Sequence, residues 1–252
     1  MSKLTYEIKQ KLSDEMSPVA AKYRKSFVGP NEPIKDTFGI LEKLGFFIVK
    51  FPTNGDLSGF HIVKSGYNFI YINSAHSLGR QYFSAWHEYY HSISGENNIS
   101  LTKDKTIDEY KADCFASHIL LPDTLVLDYL KKQNILNLKY ISYEQLIRMQ
   151  NYFRVSYSAL IVKLIRLFPE NKDTLNQRAS LGSIERKEEM RNYIEKYGGD
   201  ISLSQQTNDF YVSTKFLTRL EKNHKEGRVS TEKFQEILRF LEELRVKYEH
   251  DS

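Results

Sequence analysis

Apolar residues recur in two rhythms along the first third of the chain. Ile8 and Leu12 stand four apart, as on one face of a helix, and predict a helix to Met16 that continues past Pro18 to a Gly29-Pro30 break. Residues 1–34 are therefore read as an N-terminal helical arm or lid. From Asp36 the pattern shortens. DTFGILEKLG reads as a capped helix ended by Gly45, and FFIVKF as a compact apolar strand closed by Pro52. SGFHIVK and YNFIYIN flank the pair Ser65-Gly66 and predict a hairpin in a small sheet.

The rhythm then becomes helical again. In RQYFSAWHEYYHSIS the residues Phe83, Trp86, Tyr90 and Ile93 fall at three- and four-residue steps, the stripe of a helix packed on a sheet. After the loop GENNISLTKDK a helix is expected from near Thr106 through DEYKADCFASHILL to Pro122, and two more cover Tyr143 to Asn151 and Ser156 to Leu167. Together these make one domain over residues 35–168. FPENKDTLNQRASLGS has no period and reads as a linker over 169–183, followed by a small helical domain over 184–252 with an amphipathic FQEILRFLEEL. A weak echo links Phe153-x-Val155-Ser156-x3-Leu160 to Phe210-x-Val212-Ser213-x3-Leu217, each resembling the second half of a helix-turn-helix. The expected class is α+β: a small sheet with packed helices, then a helical C-terminal domain.

Composition narrows the functional classes. The 252 residues are 40% hydrophobic and 27% charged, with a net charge of +4, enough apolar content for a core and little excess charge for gripping phosphates. Residues 184–252 carry thirteen Lys and Arg against fourteen Asp and Glu, which argues against tight phosphate binding there. No segment interleaves its aromatics with dense basic residues as single-strand binders do. There is no run of eighteen apolar residues, so neither a membrane span nor a signal-peptide core is expected, and the chain reads as cytoplasmic. The single Cys114 cannot make an internal disulfide and is read as a small core residue.

Chemistry concentrates in one pentad, His87-Glu88-Tyr89-Tyr90-His91, lying on a predicted helix. Residues i and i+4 share a helix face, so two imidazoles can reach one ion while Glu88 points beside it, placed to take a proton from the attacking water. A pair of histidines alone is a poor site. Eighteen residues beyond His91, however, Glu109 begins a Glu109-x-x-x-Asp113 pattern on the next helix. The first carboxylate is expected to bind the metal, and Asp113 to accept the free ring N–H of a ligand histidine and fix its tautomer. His87, His91 and Glu109 are thus the candidate metal ligands and Glu88 the candidate general base. Zn2+ suits two imidazoles and a carboxylate, and Mn2+ or Fe2+ could occupy the same ligands.

YINSAHSLGRQYFSAWHEYYHSI, DEYKADCFASHILLP and FRVSYSALIVKLIRL together resemble the ImmA/IrrE-type metallopeptidases of bacteria and their mobile elements, over about Asp36 to Phe168. The resemblance implies a zincin-like sheet and helices, and limited cleavage of a protein substrate, a helix-turn-helix repressor encoded beside the peptidase, with derepression of its genes. The chain departs from the family pattern at Tyr90, where Gly is usual, and at Lys111, where Glu is frequent. Tyr90 bears on the width of the cleft. The strand Phe69 to Asn73 is expected to offer an edge for an extended substrate. Tyr71, Tyr89, Tyr90 and His118 are candidates for stabilising an oxyanion, with His118 read more readily as a core or surface histidine; His61 and His76 carry no spacing signal. The alternative reading is a latent or non-proteolytic regulatory module that binds a protein partner or DNA through the helix-turn-helix-like segments.

Overall fold

The computed structural model describes residues 4–29, 31–94 and 105–249. Pro30 of the expected Gly29-Pro30 break, and the loop GENNISLTKDK as far as residue 104, lie outside them.

In chain order the elements are α1 (Tyr6–Arg24), α2 (Thr37–Lys43), β1 (Phe46–Phe51), β2 (Gly59–Lys64), β3 (Tyr67–Asn73), α3 (Leu78–Ile93) and α4 (Lys105–Leu120). They are followed by α5 (Asp123–Lys132), α6 (Tyr143–Phe153), α7 (Tyr157–Leu167), α8 (Lys172–Ala179), α9 (Lys187–Lys196), β4 (Tyr211–Val212), α10 (Thr214–Lys225) and α11 (Thr231–Glu249). The fold is α+β, as the two apolar rhythms predict. Local chemistry explains the boundaries. Asp36 accepts from Gly39 N at 2.9 Å and starts α2, Ser142 and Gln145 form a capping box at the head of α6, and the hairpin turn puts Ser65 and Gly66 at φ 50° and 77°, the left-handed pair a two-residue turn needs.

The sheet order is β2-β3-β1-β4. β1 and β3 run parallel, with Ile48 opposite Ile70, and β2 pairs antiparallel to β3, with His61 opposite Ile70. β3 is therefore an interior strand. The edge next to the pentad helix belongs to β2, which corrects the expectation that Phe69 to Asn73 would be free to pair with a substrate.

One face of the sheet carries α3, and α4 packs against α3 from the next layer. Burial centres on Tyr82, Ala85, Trp86 and Tyr89 of α3 and on Ala112, Phe115, Ala116 and Ile119 of α4, so the core stripe of α3 runs slightly round from the one its sequence suggests. Trp86 is fully buried and donates to Thr37 Oγ1 at 3.3 Å.

Three segments differ from their sequence reading. Helix α1 runs unbroken through Pro18 and is no projecting arm: Leu12, Met16 and Ala20 enter the core, and the buried Arg24 donates to Ile119 O and Gly29 O, both at 3.0 Å. Contacts with α4 supply the energy that offsets the bond a mid-helix proline removes. The stretch 169–183 is helical rather than irregular, with Leu175 and Leu181 buried; only two apolar anchors in a polar run leave too little periodicity to read. Beyond it, β4 joins the sheet beside β1, and Lys50, buried in β1, pairs with Asp209 at 2.9 Å. This also alters the internal echo. α6 and α7 do form a helix-turn-helix through Arg154 at φ 54° and the Ser156 cap, whereas Phe210 to Ser213 is the β4 strand and its exit.

Candidate metal centre

The pentad lies in the last turns of α3 and presents His87 and His91 towards α4. Their Nε2 atoms are 3.1 Å apart. Glu109 reaches both: Oε2 is 3.1 Å from His87 Nε2, and Oε1 is 3.6 Å from His91 Nε2. One ligand atom from each residue lies within 4.8 Å of the others, and this is the group of possible metal ligands found among the described residues. Donors held at about 2.0–2.1 Å from a tetrahedral ion stand roughly 3.4 Å apart, so the spacing and the N, N, O donor set fit a zinc-type cation.

Asp113, one turn beyond Glu109, accepts from His87 Nδ1 at 2.9 Å. With Nδ1 bonded to Asp113, Nε2 is the ring nitrogen turned towards the other two donors. Burial disfavours charge on His87, but its hydrogen bonds to Asp113 and Glu109 outweigh that and push it up to about 10. His91 is lowered, by burial and then by the neighbouring His87. Glu109, 3.6 Å away, and Asp108 oppose that fall without reversing it.

Glu88 sits beside these donors and is half-buried. Burial raises its pKa, the Glu109 carboxylate adds to the rise, and His87 and a hydrogen bond with the His61 backbone oppose it. A carboxylate raised in this way is a better proton acceptor at neutral pH than an exposed one. The same closeness explains Gly59: a Cβ there would lie 2.7 Å from Tyr71 O and 3.5 Å from Glu88 Cγ. Edge strand β2 thus runs beside the general-base candidate with no side chain between them at its first residue.

The spacing singled out His87, Glu88, His91, Glu109 and Asp113, and all five converge. The oxyanion candidates fare differently. Tyr89 is buried among Tyr23, Trp86 and Phe115. Tyr71 donates to Phe51 O at 2.9 Å on the far face of the sheet. Tyr90 is buried against Phe115, with ring centroids 5.3 Å apart, so the departure from glycine turns into the core. His118 is a core histidine bonded to Ser13. His61 is the residue that spacing missed, since its contribution comes through main chain that only strand pairing places beside Glu88.

A sheet backed by a helix with H-E-x-x-H, and a carboxylate from the next helix meeting both histidines, defines a metallopeptidase-type domain. Residues 41–164 match the family Peptidase M78, the IrrE N-terminal-like domain. The chain belongs to that ImmA/IrrE family through this domain, which takes in β1 to α7 and all five site residues. A comparison with curated proteins finds no match. Among the described residues no helix is long and apolar enough to cross a membrane.

Proposed function

We propose that this metallopeptidase is a zinc-dependent endopeptidase making a limited cleavage in a partner protein, a helix-turn-helix repressor encoded beside it. In this reading His87, His91 and Glu109 hold the ion, Glu88 is the general base, and Asp113 orients His87. The observation that carries it is the meeting of three donors from two helices, with Asp113 bonded to the far nitrogen of one of them. When bound, zinc supplies a Lewis acid for the scissile carbonyl and lowers the pKa of water. Glu88 takes the proton of the attacking water and passes it to the leaving amine. The β2 edge holds an extended stretch of substrate by main-chain pairing, which places its carbonyls along the strand whose start faces Glu88.

The DNA-binding alternative has less support. α7 buries Tyr157, Leu160, Ile161 and Leu164 against the core, and the second helix-turn-helix-like segment enters α10 from strand β4 rather than from a preceding helix.

The test is metal analysis of purified variants, then incubation with the neighbouring repressor and mass spectrometry of the fragments. Glu88→Gln should keep zinc and lose cleavage by about 100-fold or more, while His87→Ala and Glu109→Ala should lose the metal itself. Equal zinc in all three would remove the ligand assignment, and an intact repressor with loaded wild type would remove the substrate.

A further inference from the structure

Along the open edge of the sheet each residue of β2 has a fixed direction. Asn73 N donates to Ser58 O at 3.0 Å, and β2 continues opposite β3 with Phe60 facing Tyr71, Ile62 facing Phe69 and Lys64 facing Tyr67. Antiparallel pairs alternate between bonded and non-bonded, so these three residues, in phase with Ser58, spend their N–H and C=O groups on β3. Gly59, His61 and Val63 point theirs outwards. The contact of Glu88 agrees with that phase, since it meets the main chain of His61. Among the described residues no further strand pairs with this edge.

The side chains of β2 divide between the two faces of the sheet. His61 lies on the face that carries α3, its ring centroid 5.9 Å from that of Phe46. Phe60 and Ile62 lie on the far face. There a row of rings crosses the strands: Tyr248 of α11 stacks on Phe51 at 5.5 Å between centroids, Phe51 is 4.6 Å from Tyr71, and Tyr71 is 4.9 Å from Phe60. α10 adds Phe216 against Phe47. The apolar face is covered at the start of β1, where Phe47 is buried, and open at β2, where Phe60 and Ile62 are 40% and 47% exposed. Open edges are ordinarily blunted by charged side chains; β2 carries only Lys64, at its turn end.

We propose that this edge selects its substrate by face: it takes an extended segment whose alternate residues, those set opposite Phe60 and Ile62, are β-branched or aromatic. The inference rests on the reading of β2 as the substrate-binding strand and names the class of segment that the strand accepts. In a segment paired to Gly59, His61 and Val63, the residues opposite Phe60 and Ile62 fall in non-bonded pairs, where Cα atoms approach to about 4.5 Å and side chains lie closest. Those side chains share the far face with Phe60 and Ile62 and extend the apolar row by one strand. The intervening residues turn to the face of the metal centre, where Gly59 leaves room beside Glu88. A charged residue at an alternate position would lose water against two apolar side chains and gain no partner. A second copy pairing edge to edge would cover the same strip, but Glu88 bonded to the His61 main chain sets a proton acceptor at this edge, which only a cleaved segment uses.

Fluorescence anisotropy with the full chain carrying Glu88→Gln, with zinc added, reads binding without turnover. The probes are the labelled peptides Ser-Val-Ser-Val-Ser-Val-Ser and Ser-Val-Ser-Glu-Ser-Val-Ser. The first should bind about tenfold more tightly. Adding Ile62→Lys should reverse that order, whereas Val63→Lys, at a position 49% exposed on the other face, should not. Phe60→Ser, which introduces no charge, should shrink the preference severalfold and serves where Ile62→Lys melts early. Equal affinities in the parent chain, no binding of either peptide, or reversal by both lysines alike overturns the proposal. So does a dimer that Ile62→Lys dissociates with no peptide preference beside it. Cleavage of the first peptide by zinc-loaded wild type is scored separately: preference without cleavage sinks the peptidase reading alone, and cleavage without preference sinks this one.

Discussion

Helix α4 serves two ionic clusters that use the same residue types to opposite ends. On one face Glu109 and Asp113 meet His87 and His91, and the two carboxylates are about half exposed, at 60% and 52% of their side chains. Two turns further on, His118 meets Asp123 of α5, Lys163 and Arg166 of α7 and Ser13 of α1, with Lys163 fully buried. The first cluster has two carboxylates and no Lys or Arg among the contacts given for it, a balance that a bound cation would complete. The second has two fixed cations on one Asp123 oxygen and no room for a third. His118 responds as that balance requires: burial, then Lys163 and Arg166, hold its pKa well below the ordinary histidine range. His87 moves the other way, on the strength of its acids. A histidine beside a carboxylate is therefore no site in itself; the sign of the charge left over decides between a metal centre and a sealed structural network.

Four experiments would break or sharpen this contrast. The largest effect is expected from Asp123→Ala, which leaves Lys163 buried and unpaired and should cost about 3–5 kcal/mol in chemical denaturation; a loss under 1 kcal/mol would mean that the cluster is not sealed. Next, zinc at about a hundred times its Kd should stabilise the protein by about 2.7 kcal/mol, read as a rise in Tm that EDTA reverses and Glu109→Ala abolishes. A rise that persists in Glu109→Ala would place the ion elsewhere. Asp113→Asn should weaken zinc affinity or turnover about 10- to 100-fold, since the bond orienting His87 is lost while the ligands remain. Unchanged kinetics would return Asp113 to plain helix surface.

The smallest effect is a slope. The folded pKa of His118 lies below its unfolded value, so between the two the unfolded chain binds more protons, and stability should decline as pH falls below about 6.5. His118→Asn should flatten that decline relative to wild type. Parallel profiles for the two proteins would show that folding does not depress the pKa of His118.

The pentad and the two carboxylates were legible because helical spacing is a local rule: i and i+4 share a face whatever the helix packs against. The strands β1 to β3 were legible for a similarly local reason, short apolar runs closed by Pro52 and by the Ser65-Gly66 turn. Strand order was not. Whether β2 or β3 takes the edge depends on pairing β3 with β1, twenty-odd residues away, and the sequence has no periodic mark of a partner that distant. The helices of 169–183 and the docking of α1 escaped for a related reason, because Leu175, Leu181 and Pro18 acquire their meaning from the surfaces they meet.

By itself the sequence determined which side chains could share one ion, for two helices and a spacing suffice to bring them to one face each. Only the tertiary structure decided that the faces meet, that His61 offers its main chain to Glu88, and that His118 is locked away from solvent. Convergence between elements is set by packing and by the balance of buried charge, and both are sums over residues that lie far apart along the chain.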